Sequence, residues 1–401
     1  MKEILVKAAE IIIGNGEMLE DASVHVRGNR IADVGPDVKS PNAEVMDFSD
    51  RVIMPGIIDT HIHVSHDGQN PDPRESSLFT DEYLAIRGAK LAGQMLQYGI
   101  TTVADAAARS DVSFAVKQAV EKGIVRGPRV LACGRMITIT GGRDRIYGPN
   151  EADGIDGVRR ATREELGRGA DFIKLAATGA ISSSRTESFS AQFTLEELRA
   201  AAEETHNVGK MAHAHAYGDA GVQNTILSGV DVVVHGHPLS DESIDMMLEN
   251  KTLLMPTLVT YYESQKHHDD GDLPDYMVRK ERELFPLIES GIRNSVKKGV
   301  EIVLGSDTGM PYTPFGPSTL MELELLVKMG GMSEMDAIAA GTLNAARSLK
   351  IESDTGTIAP GKSADFLILG EDINPVDDIT SLQKLGAIEA VFLRGKRVIA
   401  E

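Results

Sequence analysis

The sequence predicts an α/β protein, a (β/α)8 barrel carrying a small β-domain assembled from the two chain ends. Three observations predict it. Apolar runs of strand length alternate with amphipathic helical stretches through the middle of the chain, the pattern of a parallel sheet buried on both faces. Eight such runs fall between positions 56 and 355, and a barrel needs about 250 residues plus insertions. Strand-rich segments separated by turn chemistry occupy both termini, with a different pattern between them. An open, doubly wound sheet is the alternative that the same alternation allows.

Taken in order, ILVKAAEIII, ASVHVRG and RIADVG are β-rich runs separated by the turn signals NGE and GNR. The eight barrel strands are expected at 57–64, 100–106, 128–134, 171–179, 210–216, 230–236, 252–258 and 301–307. Helices are expected between them, for example at 84–99, SFAVKQAVEKG and LEELRAAAEETHNVG. Segments 66–83 and 260–285 are polar, contain Pro and Asp, and exceed simple connections, so they are expected to be loops or lids at the barrel mouth. The closing runs at 364–370, 387–395 and KRVIAE return to strand character. The division is therefore 1–55 with 356–401 as one domain and 56–355 as the barrel.

Composition narrows the function. The 401 residues hold 41 Lys plus Arg against 60 Asp plus Glu, a net charge of −19 that argues against nucleic acid as a partner. Cys133 is the only cysteine, so neither an intramolecular disulfide nor a thiolate metal cluster is available. No run approaches the roughly 18 apolar residues of a membrane span, and the start lacks a cleavable signal pattern. The expectation is a soluble, cytoplasmic protein acting on a small molecule, with no membrane partner.

Six of the 11 histidines sit at the ends of three expected strands. In a barrel of this kind those ends converge on one rim, where active sites form. His61 and His63, at i and i+2, share one face of the first strand and suit a metal ion; two imidazoles buried side by side without a common ligand would be desolvated at a cost. Lys174 lies in an apolar strand and is either half of a buried ion pair or, as the neutral amine, a site for carbon dioxide uptake to a carbamate that bridges two metals. His215 and His213 compete for one role on the fifth strand, with His213 a layer deeper. His235 and His237 compete on the sixth, where His237 lies past Gly236 and faces substrate or solvent. Asp307 is a ligand or base, or else a helix cap. Asp105 ends the second strand as a supporting group. His25, His206, His267 and His268 show no partner pattern and are expected on the surface.

Several motifs occur together and in order: VIMPGIIDTHIHV (52–64), GITTVADA, DFIKLAATGA (171–180), FTLEELRA (193–200), GVDVVVHGHPL (229–239), MPTL (255–258), GSDTGMP (305–311), NAARSL and GTIAPGKSADFLIL. On these motifs the chain resembles the amidohydrolase superfamily, specifically its imidazolonepropionase-like and Xaa-Pro dipeptidase-like branch. The resemblance implies that the terminal segments form a β-sandwich beside a metal-bearing barrel. It implies two divalent ions, Zn2+ foremost. His61 and His63 hold the more buried one, carbamylated Lys174 bridges, and His215 and His235 hold the second. Asp307 binds the first ion and shuttles the proton. His215 is preferred over His213 because the segment HAYGDAGV and the spacing to His235 match the family's arrangement.

The activity so implied is hydrolysis of a C–N bond in a dipeptide or N-acyl amino acid by a metal hydroxide. The alternative is a cyclic amide, ester, carbamate or organophosphate, or a deamination, on the same site. Relatives commonly form homo-oligomers. Where peptidase-like relatives carry a histidine after TGG this chain has Arg143, which suits a bidentate clamp on a substrate carboxylate or a loop ion pair with Asp144. Arg185 is a second carboxylate-binding candidate. Tyr217 is placed to hydrogen-bond a reacting carbonyl or to pack, and Tyr261 and Tyr262 to line the pocket.

Overall fold

A computed structural model describes residues 3–142 and 147–400. Its strands are, in order, β1 (Glu3–Ile12), β2 (Met18–Arg27), β3 (Arg30–Gly35), β4 (Glu44–Pro55), β5 (Ile57–Ile62), β6 (Ile100–Asp105), β7 (Arg129–Ala132) and β8 (Ile137–Thr138). There follow β9 (Asn150–Glu151), β10 (Ile173–Ala176), β11 (Ala212–Ala216), β12 (Val232–His235), β13 (Leu253–Met255), β14 (Phe366–Leu369), β15 (Ile388–Leu393) and β16 (Lys396–Ala400).

The two chain ends share one sheet among the described residues, in the order β16-β15-β14-β4-β1-β2-β3. The halves join where β14 runs antiparallel to β4, pairing Phe366 with Pro55 and Ile368 with Ile53. Alternating apolar residues of both ends, Val6, Val24, Ile53, Phe366 and Phe392 among them, form a core of their own, with the Phe366 and Phe392 rings stacked at 4.6 Å. The hydrogen bonds make this one continuous seven-stranded sheet. The chain passes from this sheet to the next through Gly56 alone, where a Cβ would stand 2.1 Å from Thr101 Oγ1. Only glycine lets the two strands meet so closely.

The central strands are parallel and almost wholly buried, so helices cover them on the outside. One sheet runs β5-β6-β7, the other β13-β12-β11-β10-β8-β9. Between them, Asp171 N donates to Ala132 O at 2.8 Å beside β7, and isolated parallel bridges link Leu254 to Ile302 and Ile62 to Thr308. Seven of the eight expected barrel strands are thus regular. The eighth, 301–307, is realised as bridges rather than a strand: Asp307 adopts φ +54°, and at Gly305 a Cβ would meet Met255 Sδ at 2.5 Å.

The expected lid at 260–285 is mostly helical. A helix spans Leu258–Ser264 and a longer one Asp275–Lys298. The longer helix buries Met277, Leu284, Ile288 and Ile292 on one side, a stripe at helical spacing that Pro286 interrupts without ending. Segment 66–83 holds a short 3-10 helix, Pro73–Leu78, capped by the Asp72 side chain. No helix among the described residues is long and apolar enough to cross a membrane.

Candidate metal centre and active-site cavity

Strand β5 delivers His61 and, just past its end, His63 to one side of the sheet, as a period of two requires. Both imidazoles are buried, as is Asp307. His61 Nε2 lies 3.3 Å from His63 Nε2 and 3.3 Å from Asp307 Oδ1, and His63 Nε2 lies 2.9 Å from the same oxygen. These three donor atoms form the one group of His, Cys, Asp and Glu among the described residues spaced to hold a metal ion.

Protonation supports that reading. His63 Nδ1 donates to Ala107 O at 3.2 Å, so its lone pair is on Nε2. Burial holds the His61 imidazole well below its ordinary pKa, helped by the charge of Lys174, so it is neutral. Nitrogen lone pairs and a carboxylate oxygen therefore face a common point. Two ligands at about 2.1 Å from one ion, at a tetrahedral angle, stand about 3.4 Å apart. The donor set and its spacing fit a divalent cation.

Lys174 on β10 is 1% exposed. Register sets its neighbours: Lys174 pairs with His213, Ala176 with His215, and Ala216 with His235. His215 Nε2 donates to Gly179 O at 2.8 Å, which puts its lone pair on Nδ1. His235 Nδ1 meets Thr257 Oγ1 at 2.7 Å and Tyr261 OH at 3.0 Å, which leaves Nε2 as its ligand atom. The His215 and His235 rings are 4.6 Å apart, and His61 is 5.9 Å from His235. One cavity is lined by His61, His63, Lys174, His215, His235 and Asp307 together.

Of each histidine pair, one member lines this cavity. His213 does not line this cavity. Its Nε2 lies 2.8 Å from Ser348 O, its ring packs on Phe172, and burial lowers its pKa to about 3. His237, expected among the substrate contacts, is also absent from the wall: it is fully buried, bonded to Pro256 O at 3.0 Å, with a pKa lowered by burial to about 4. A ring past the strand end turns inward here because His235 and Gly236 both take positive φ.

Tyr217 reaches the cavity as expected, stacked on His235 at 5.0 Å with its hydroxyl 2.5 Å from that of Tyr261. Tyr262 does not line it, and its ring sits under Lys266 Nζ at 4.2 Å. Arg185 is exposed on its loop and is not among the lining residues. Arg143 lies outside the described residues. Of the histidines expected on the surface, His25 is buried against Glu3 at 3.1 Å and His268 is half-buried against Glu281 at 2.7 Å. Cross-strand and cross-helix partners cover both, which neighbours in sequence do not reveal.

Several supporting groups have no motif of their own. Asp59 accepts hydrogen bonds from Ser306 Oγ and Thr319 Oγ1, each at 2.6 Å, and from His61 N at 3.1 Å, tying the ligand strand to the turn that holds Asp307. Asp105 accepts from Val64 N at 2.8 Å, and burial raises its pKa to about 6. His66, three residues past His63, lines an adjoining pocket with His63, Met136, Tyr147 and Met310.

Glu322 accepts from Leu258 N at 2.9 Å and Val259 N at 2.7 Å, fixing the turn that brings Thr257 and Tyr261 to His235. Burial raises the Glu322 pKa from 4.5 to about 8. A raised folded-state value means its stabilising contribution is full below the unfolded pKa and is lost as pH rises through the folded one. Glu322→Ala is therefore expected to destabilise the fold by about 2–4 kcal/mol at pH 5. Urea unfolding of the two proteins should converge as pH approaches 9. A gap that widens with pH would contradict this assignment.

Known proteins fit this arrangement. The Amidohydrolase family profile matches residues 52–398. The ochratoxinase of Aspergillus niger is 30% identical over 430 residues, covering 98% of this chain and 86% of that protein. The imidazolonepropionase of Picrophilus torridus is 23% identical, covering 99% and 98%. A solved Xaa-Pro dipeptidase with bound methionine in its active site superposes with a TM-score of 0.89 at 28% identity, covering 99% of each chain.

Proposed function

This chain belongs to the amidohydrolase family, a hydrolase acting on C–N bonds, and from that premise we propose that it cleaves a small amide, a dipeptide or N-acyl amino acid, at a binuclear metal centre. In this reading residues 56–355 close into a (β/α)8 barrel, and 1–55 with 356–401 form the β-sandwich domain beside it. The protein works in the cytoplasm as a homo-oligomer.

The observation that carries the reading is that six side chains, brought by β5, β10, β11, β12 and the turn at Asp307, line a single cavity. His61, His63 and Asp307 would hold one ion; His215 through Nδ1 and His235 through Nε2 would hold the other, with Lys174 between as its carbamate. Bound there, two divalent ions, Zn2+ foremost, supply Lewis-acid activation of water and of the scissile carbonyl.

The chain's own residues do the rest. Asp307 takes the proton of the attacking water on its carboxylate and returns it to the leaving amine. Tyr217 is held by Tyr261 at 2.5 Å, close to where a substrate oxygen would lie, and donates a hydrogen bond as charge builds there. Buried walls exclude bulk water and strengthen both interactions. The dipeptidase among the relatives carries its substrate class in its name, and we extend that class to this chain.

The test is mass-spectrometric screening of dipeptide and N-acyl amino acid mixtures with metal-loaded protein. Hydrolysis at the amide, lost on chelation and regained with Zn2+, is the expected result. Chelation should also lower the melting temperature, since an ion that binds only the folded state stabilises it by mass action. Turnover that survives complete chelation would refute the metal centre.

A further inference from the structure

Tyr217 and Tyr261 meet through their hydroxyls, and the direction of that hydrogen bond is fixed from outside the pair. Thr257 Oγ1 donates to Pro256 O at 2.8 Å, so towards His235, 2.7 Å away, it can only accept. The proton between them is therefore carried by His235 Nδ1. A protonated Nδ1 has no lone pair to offer, so the Tyr261 hydroxyl, 3.0 Å from it, is an acceptor there as well. Tyr261 is 2% exposed, and its other hydrogen bond among the described residues is to the Tyr217 hydroxyl at 2.5 Å. A buried O–H without an acceptor is costly, so the Tyr261 proton goes to Tyr217.

The rest of Tyr217 is held independently. Its ring stacks on His235 at 5.0 Å with 7° between the planes and stands edge-on to His215 at 4.8 Å, while its backbone N donates to Thr178 Oγ1 at 3.0 Å. With ring and backbone held, the variable left is the torsion of its O–H. An oxygen that accepts from Tyr261 cannot donate along the same line, so the Tyr217 proton turns to another direction, on the wall of the cavity that both tyrosines line. Chained hydrogen bonds polarise one another, so the donation from Tyr261 also strengthens Tyr217 as a donor. We propose that Tyr261 is a positioning residue: by accepting from His235 and donating to Tyr217, it aims the Tyr217 proton at the substrate oxygen. An imidazole of the metal centre and the donor that stabilises charge on the substrate are thereby linked through one phenol. The proposal rests on the reading above, in which Tyr217 donates to that oxygen.

A double-mutant cycle tests it on the dipeptide or N-acyl amino acid that the screen above shows to be cleaved fastest. Tyr217→Phe is expected to lower kcat about 10²-fold, the worth of one donor to a developing oxyanion, with KM little changed. Tyr261→Phe keeps the ring and should lower kcat about tenfold, the worth of one neutral hydrogen bond, with full Zn2+ content and no matching rise in KM. In the Tyr217→Phe background the Tyr261 change should cost about twofold or less, because it acts through a hydroxyl already removed. Equal losses in both backgrounds would make Tyr261 a structural residue and overturn the proposal, as would a wild-type kcat in Tyr261→Phe. Proton NMR of the Zn2+-loaded protein reads the same arrangement without turnover. The downfield hydroxyl proton shared by the pair should show its strongest nuclear Overhauser contacts to the ring of Tyr261, and Nδ1 should be the protonated nitrogen of His235. That proton seated on Tyr217 would overturn the proposal while leaving the hydrolase reading to the peptide screen. The expected arrangement in a protein that cleaves no peptide would uphold the hydrogen-bond direction and refute the hydrolase.

Discussion

Asp307→Asn is expected to lower kcat by about 10²–10⁴-fold, the usual worth of a positioned general base, while leaving most of the metal in place. The substitution isolates the proton step because it changes little else. Asparagine keeps an oxygen where Asp307 Oδ1 now faces His61 Nε2 at 3.3 Å and His63 Nε2 at 2.9 Å, so a ligand atom survives. It also tolerates the left-handed backbone, φ +54°, that this turn imposes, whereas alanine would add strain. What asparagine lacks is the capacity to accept a proton from water and hand it to the leaving amine. Metal content by plasma mass spectrometry, measured beside steady-state kinetics at saturating Zn2+, separates the two roles. A near-wild-type kcat with full metal would remove Asp307 from proton transfer. Loss of metal and activity in equal proportion would reduce it to a ligand.

How much of this centre was legible in the sequence depends on which physical signal carried each part. His61 and His63 were visible because a period of two is local: nothing beyond the strand is needed to put both on one face. The choice between His215 and His213 needed the register of β11 against β10, and that register is set by tertiary packing. The strand candidates were legible for the same local reason, except at 301–307, where the run meets its neighbours only through isolated bridges at Ile302 and Thr308. The helix Asp275–Lys298 was missed because Pro286 and the acidic residues around 269–275 look like loop chemistry, although Met277, Leu284, Ile288 and Ile292 already recur at helical spacing. Asp59 and Glu322 stayed hidden among 60 acidic residues. A carboxylate's role is decided by what folds against it, and their partners lie far away in sequence: Thr319 is 260 residues from Asp59, and Leu258 is 64 from Glu322.

Lys174→Met should reduce the metal content from about two ions per chain to about one and lower kcat/KM by about 10³-fold, several kcal/mol of lost transition-state stabilisation. The reasoning starts from solvation. An ammonium at 1% exposure, on the cavity wall it shares with His61, His63, His215, His235 and Asp307, has given up bulk water for a buried site. A carbamate at Nζ would exchange that cation for an anion with two oxygens, able to serve an ion held by His61 and His63 and an ion held by His215 and His235. Methionine has similar length and carries no charge to desolvate, so the fold should persist and its melting temperature in the absence of metal should not fall. The carbamate itself is tested by reloading apo-protein with Zn2+ in the presence of 13C-bicarbonate. A new carbamate carbon resonance should appear in wild type and be absent from Lys174→Met, and recovery of activity should slow when bicarbonate is withheld. Two ions bound at full activity with no label incorporated would eliminate the carbamate and leave the second ion to His215 and His235. A Lys174→Met protein that keeps both ions and its rate would remove Lys174 from the centre altogether.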